Sequence, residues 1–274
     1  MRPLEPDSPR VSVVLPTYNQ ALYLPAALDS VFGQTWPDYE LIVVNDGSTD
    51  ETPDILQAYQ ERYTFTVIYQ ENQKLPAALN AGFRHARGAY LTWTSSDNIM
   101  LPTMLEILVR ALDHHPEVGL VYADCEIIDE SGRVKGTVET LDFDRHLLMR
   151  MNYINACFLY RRACQEAVGL YDPAYRQAED WEYWWRIASI FPLLHVPQTL
   201  YRFRVHEQSL SKSEVLACSE ELPEGYLRLE ARFRARPWDW CLSKLKWALL
   251  RLRTGRDPRL ILQPYVEERS GGSR

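Results

Sequence analysis

Three clusters of hydroxyl and carboxylate side chains each follow a run of β-branched and aliphatic residues. Thr17, Tyr18 and Asn19 follow Val11 to Pro16. Asn45, Asp46, Gly47, Ser48, Thr49 and Asp50 follow Tyr39 to Val44. Thr94, Ser95, Ser96, Asp97 and Asn98 follow Ala89 to Trp93. One Asp-Gly turn is ordinary loop chemistry, but three such clusters at corresponding points suggest one polar crevice. The sequence contains no GxGxxG, no GxxxxGK[ST], no HExxH and no GxSxG. A Gly-rich phosphate cradle, a zinc protease and a serine-hydrolase elbow are therefore not expected. Phosphate in such a crevice needs another counter-charge, and a divalent cation held by one carboxylate supplies it. A fourth acidic cluster, Glu179-Asp180, opens a segment in which Trp181, Trp184, Trp185 and Ala188 recur on one helical face.

The elements that position these clusters alternate. Strands are predicted over 11–15, 39–44, 65–69, 89–93 and 118–123, with helices near 21–32, 53–62, 76–87 and 102–114. Met104, Leu105, Leu108 and Leu112 mark one buried helical face. Continuous apolar strands alternating with helices imply an α/β fold whose mostly parallel sheet is covered on both faces. Ligands of such sheets bind outside the carboxyl ends of the strands, where the three clusters lie. The second half mixes types: a hairpin over 127–138 turning at Glu130-Ser131-Gly132, helices over 142–150 and 178–191, a strand near 154–160, an extended run over 194–205, and helix from about 212 to 254. Glu182 and Arg186, four residues apart, read as a surface pair.

The chain of 274 residues is 46% hydrophobic and 24% charged, enough for one or two globular domains. Its net charge of −7 argues against a nonspecific nucleic-acid binder, and no apolar run approaches the roughly 18 residues of a membrane span. Residues 1–9 lack an apolar signal core and read as a flexible lead. Five scattered cysteines without a CxxC pair read as reduced thiols of a cytoplasmic protein. Charge is uneven: between Arg228 and Arg259 ten basic residues face three acids, a net +7 against −14 for the remainder. The expected organisation is a lead (1–9), a main domain (10–211, in two halves, 10–123 and 124–211), a helical extension (212–268) and a tail (269–274).

Taken in order, Val11-Ser-Val-Val-Leu-Pro-Thr-Tyr-Asn19, Ile42-Val-Val-Asn-Asp-Gly-Ser-Thr-Asp50, Asn80-Ala-Gly82, Tyr90 to Pro102, Gly169-Leu-Tyr-Asp172, Ala178-Glu-Asp-Trp-Glu-Tyr-Trp-Trp-Arg186 and Tyr201-Arg-Phe-Arg-Val-His206 resemble the inverting family 2 glycosyltransferases of the GT-A fold. The resemblance covers roughly residues 10–211. It implies transfer of a sugar from a nucleoside-diphosphate sugar, a UDP-sugar first among candidates, to the hydroxyl of a saccharide or lipid-linked acceptor in glycan synthesis. It also implies a nucleotide-sugar pocket of Pro16, Thr17, Tyr18, Asn19, Asp46, Ser48, Asp50, Lys74, Asn80, Ser95 and Ser96, with Asp46 accepting from the base ring. Mn²⁺ or Mg²⁺ is expected on Asp97 and His206. Family members usually carry Asp-x-Asp here, and Ser95 replaces the first carboxylate. That replacement keeps a second reading open, a noncatalytic sugar-nucleotide binder or scaffold. Arg202 and Arg204 read either as diphosphate ligands or as a strand's solvent face.

Inverting transfer needs a base opposite the leaving diphosphate. The family's acidic pair matches Glu179-Asp180, with Asp180 as base and Glu179 as its neighbour; the bland alternative is a pair of acids at a helix N-terminus. In the basic tail, residues 238, 241, 242, 245, 249 and 252 share one helical face. Such a face suits the inner surface of an anionic membrane, the body's acidic surface, or a second subunit across residues 213–256.

Overall fold

The structure, a computed structural model, describes residues 8–175, 178–207, 209, 228, 231–233, 235 and 237–254. The expected lead, the boundary near residue 212 and the tail after 254 lie largely outside them. The first half runs β1 (Val11–Thr17), α1 (Leu24–Phe32), β2 (Tyr39–Asn45), α2 (Thr52–Gln60), β3 (Thr66–Tyr69), α3 (Leu75–His85), β4 (Tyr90–Trp93), β5 (Ile99–Met100) and α4 (Met104–His114). The second runs β6 (Leu120–Ile128), β7 (Val134–Val138), α5 (Arg145–Leu148), β8 (Phe158–Arg161), α6 (Arg162–Val168), α7 (Glu179–Ala188), β9 (Leu193–Arg204) and α8 (Pro237–Thr254). The first three helices each carry proline in the first turn, Pro25, Pro53 and Pro76. There the missing N–H costs nothing and φ is preset.

The strands form one sheet in the order β3-β2-β1-β4-β8-β6-β9-β5, with β7 on the edge of β6. The pairs β3-β2, β2-β1 and β1-β4 are parallel, as is β6-β9; β8 enters antiparallel between β4 and β6. Successive residues of the buried strands feed two cores. Val13, Leu15, Leu41 and Val43 face the layer of α1, α2 and α4. Val14, Ile42 and Val44 face the layer of α3 and α7. Gly82 lets α3 approach the sheet: a Cβ there would lie 2.4 Å from Val14 Cγ1.

Several expectations shift. β6 runs to Ile128, because β7 and β9 both continue to pair with it beyond Ala123. The expected helix over 142–150 is one turn, capped by Asp144, whose carboxylate accepts from the N–H of His146 at 2.8 Å. β5 and α6 are too short to leave a periodic signal. The α7 tryptophans are core, with Trp184 fully buried and Trp185 nearly so. Glu182 and Arg186 are no surface pair. Glu182 is buried, Arg186 Nε donates to both its oxygens at 2.9 Å, and Arg186 also donates to the carbonyls of Val168 and Leu170. Arg232 closes on the same carboxylate at 2.6 Å, and Phe233 packs on Trp181 and Trp185.

Candidate functional site

Parallel register sets the crevice. Thr17 pairs with Asn45, and Val14 pairs with Trp93, so the chain beyond Trp93 emerges level with the end of β1. Asp46 N–H donates to the Thr17 carbonyl at 2.9 Å and Gln70 N–H to the Asn45 carbonyl at 3.1 Å. The ends of β1, β2 and β3 are thereby tied into one rim.

On that rim Asp46 holds a loop. Its Oδ1 accepts from Gln70 Nε2 (2.7 Å) and the Gln73 N–H (2.9 Å), and its Oδ2 from the Lys74 N–H (2.9 Å). A carboxylate offers about four acceptor positions, and these hydrogen bonds fill three of them. The loop needs unusual backbone: φ is +80° at Gly47 and +73° at Lys74. The Lys74 ammonium then lies 6.0 Å from the ring centre of Tyr18, which is 45% exposed. Pro16 is buried within β1. Asn19 also has positive φ, +52°, a conformation asparagine tolerates. Its N–H donates to Ser48 Oγ at 3.0 Å and its side-chain oxygen accepts from the Thr49 N–H at 2.7 Å. Asp50 accepts from the N–H groups of Ala21 (2.9 Å) and Thr52 (3.1 Å). Burial pushes its carboxyl up, but these hydrogen bonds outweigh it and hold the group below the usual range. Asp50 therefore shapes the loop from behind. Thr17 Oγ1 is buried without a hydrogen-bond partner.

After β4, Ser96 is buried, and Ser95 and Asp97 are partly so. Asp97 Oδ2 lies 2.9 Å from His206 Nε2, which arrives from the end of β9, while Asp97 Oδ1 is buried with no hydrogen-bond partner. An orphaned carboxylate oxygen beside an imidazole fits a divalent cation. Among the described residues no group of three or more His, Cys, Asp or Glu side chains gathers to hold a metal. Two such residues are fewer than a cation needs, and further ligands would have to come from phosphate or water. Arg204 is neither a diphosphate ligand nor a solvent-facing residue: it is buried, and donates to the carbonyls of Asp97 (2.8 Å), Asp129 (3.0 Å) and Glu130 (3.0 Å). Its own N–H donates to Asn98 Oδ1 at 2.8 Å. Arg204 thus braces the loop that carries Asp97. Arg202 pairs with Glu126 at 2.7 Å.

Asn80 differs from expectation most. It is buried, its Nδ2 donates to the Tyr171 carbonyl at 2.8 Å, and its Oδ1 accepts from the Tyr171 N–H at 2.9 Å. It clamps the segment before α7 rather than presenting its amide to a ligand. Tyr171 in turn joins the two halves: its hydroxyl accepts from Trp93 Nε1 at 3.0 Å. Burial first, and the charges of Tyr183, Asp180 and Glu179 after it, push that phenol well above its usual value. Asp180 and Glu179 are thus within electrostatic range of Tyr171, the residue hydrogen-bonded to Trp93 at the end of β4. Glu179 is buried, and Asp180 is partly exposed. Asp180 Oδ2 accepts from Asn152 Nδ2 at 2.8 Å and Oδ1 from the Trp181 N–H at 2.6 Å. Desolvation outweighs both and raises its carboxyl above the ordinary aspartate value.

Asn152 and Gln70 escaped the sequence reading. Each acts through a side-chain hydrogen bond from a loop to a carboxylate remote in sequence, which leaves no spacing to detect.

With this geometry in place, comparison is informative. Residues 12–169, more than half the chain, match the family described as glycosyl transferase family 2. The chain belongs to that family. An uncharacterized glycosyltransferase of Rickettsia prowazekii (strain Madrid E) is 29% identical over 232 residues, covering 81% of this chain and 72% of its own. S. aureus TarS 1–349 in complex with UDP-GlcNAc matches 80% of this chain and 64% of its own, with a TM-score of 0.63 at 18% identity. The mannosyltransferase PcManGT of Pyrobaculum calidifontis, in complex with GDP-Man and Mn²⁺, matches 94% and 82%, with a TM-score of 0.59 at 21% identity. Likenesses of that identity speak for the fold: the expected GT-A-type α/β architecture is the one observed. This family 2 glycosyltransferase carries its acids at the carboxyl edge of that sheet.

Proposed function

We propose that this glycosyltransferase moves a sugar from a nucleoside-diphosphate sugar to an acceptor hydroxyl with inversion, and that Asp180 is the base. The observation that carries the reading is Asp180 itself: a partly exposed, desolvated carboxylate, oriented by Asn152 and within electrostatic range of Tyr171, which Trp93 ties to the end of β4. The acceptor O–H bond breaks, its proton goes to Asp180, the acceptor oxygen bonds to the anomeric carbon, and the bond from that carbon to the diphosphate breaks. Raising a carboxyl's pKa by desolvation makes its carboxylate a stronger base.

On the donor side, Thr17, Tyr18, Asn19, Asp46, Ser48 and Lys74 receive the nucleotide, with the open position of Asp46 taking an N–H of the base. Ser95, Ser96 and Asp97 face the diphosphate and sugar. Asp97 and His206 would hold Mn²⁺ or Mg²⁺, which neutralises diphosphate charge when bound. The solved relatives carry UDP-GlcNAc in one case and GDP-Man with Mn²⁺ in the other, which supports a nucleoside-diphosphate sugar, and a UDP-sugar is the first donor to test. The acceptor is a saccharide or lipid-linked saccharide, and the setting is the cytoplasm or the inner face of its membrane. No described helix is long and apolar enough to cross a membrane.

Asp180→Asn tests the base. Transfer should fall about 10²–10⁴-fold while donor affinity stays within about twofold, since Asp180 is assigned to the acceptor side. Full transfer by Asp180→Asn would remove the assignment. The second reading, a noncatalytic sugar-nucleotide binder, draws on Ser95 and the incomplete metal set. Donor binding without turnover, indifferent to Mn²⁺, would favour it.

A further inference from the structure

Helix α8 has two unlike faces. Toward the body, Ser243 is fully buried, Trp247 and Leu250 pack against the core, and Lys246 Nζ donates to Asp144 Oδ2 at 2.6 Å. On the opposite side Trp238, Leu242, Leu245 and Leu249 recur at steps of four, three and four, and so fall in one stripe. They are 84%, 46%, 58% and 55% exposed. Of the three settings open to this face, the body's own surface is not the one observed: the apolar stripe looks outward while the helix is held by its other face. A helix of 18 residues is about 27 Å long, so the stripe is long and narrow rather than a pocket.

Charge selects the occupant. The stripe sits inside the segment from Arg228 to Arg259, whose net charge is +7. Body carboxylates already hold two of its cations, Glu182 with Arg232 and Asp144 with Lys246. The same helix also contains Lys244, Arg251 and Arg253. A second copy would bring two segments of +7 together. An anionic bilayer accepts isolated large apolar side chains without a matching groove, and its phosphates attract the surrounding cations. We propose that α8 lies on an anionic lipid surface, with Trp238, Leu242, Leu245 and Leu249 entering the interface. The inference is independent of the catalytic reading, because it is measured without donor or acceptor.

The test is flotation of the full chain with phosphatidylcholine vesicles, with and without about one-third phosphatidylglycerol, alongside solution mass by light scattering. The expected result is flotation with the anionic vesicles, at least about tenfold weaker with phosphatidylcholine alone, and weakened by salt. Leu245→Glu with Leu249→Glu should abolish flotation while the melting temperature stays unchanged, since both side chains are exposed; Trp238→Ser with Leu242→Ser serves as an independent pair. Failure of the intact chain to float, equal flotation of both variant pairs, or a stable dimer that the glutamates split without any vesicle binding would each overturn the proposal.

Discussion

Replacing Asn80 by alanine separates a clamp from a ligand contact. The substitution removes both the acceptor for the Tyr171 N–H (2.9 Å) and the donor to the Tyr171 carbonyl (2.8 Å), in a buried setting. An unsatisfied buried polar group costs about 1–3 kcal/mol. Two such groups cost about 2–6 kcal/mol, near the lower end where Tyr171 shifts toward water. In a chain of this size each kcal/mol moves the melting temperature by about 2–4 °C, so a fall of about 5–15 °C is expected. Tyr171 also accepts from Trp93 and lies beside the Asp180 pair, so transfer should decline with it. The affinity for UDP should stay within about twofold, because Asn80 is buried and both its polar atoms are turned to Tyr171. Calorimetric unfolding and titration with UDP measure the two separately. An unchanged melting temperature with a tenfold weaker UDP affinity would refute the clamp and return Asn80 to the nucleotide pocket.

Three further outcomes are expected. Asp180 is raised in the fold by desolvation, so its ionised form destabilises the folded state. Asp180→Asn should therefore melt higher than the parent at neutral pH, and the gap should close as pH falls through the raised folded value toward the ordinary 3.8; equal melting at every pH would contradict the desolvated, ionised carboxylate. Gly47→Ala forces an L side chain to φ +80° and sets its Cβ 2.9 Å from the Asn72 backbone nitrogen, costing about 1–2 kcal/mol for the left-handed conformation alone. Because the clash pushes on the loop held by Asp46, UDP affinity should weaken too, and titration that finds it intact would argue against that loop as a nucleotide contact. Asp97→Asn should remove any Mn²⁺-dependent part of the thermal stabilisation by UDP; undiminished Mn²⁺ dependence would place the cation elsewhere.

The sequence alone was enough for the layered α/β architecture and for placing polar clusters at the ends of its strands. Both rest on short-range regularities. Apolar runs such as Val11–Leu15 and Ile42–Val44 must be buried on both faces, helices with proline in their first turn must follow them, and the polar residues next in line must then emerge at the carboxyl edge. That Glu179-Asp180 opens a helix was legible for the same reason, since the tryptophan stripe behind it must face the core. Only the tertiary structure decided how the polar side chains are employed. Asp50 is consumed by backbone N–H groups, Asn80 clamps Tyr171, Arg204 braces the Asp97 loop, and Glu182 is buried between Arg186 and Arg232. Each partner is remote in sequence or joined through a loop, so no periodicity encodes it. The outward stripe of α8 follows the same logic: the heptad-like spacing showed one apolar face, but which way that face turns depended on Trp247, Leu250 and Lys246 finding the body first.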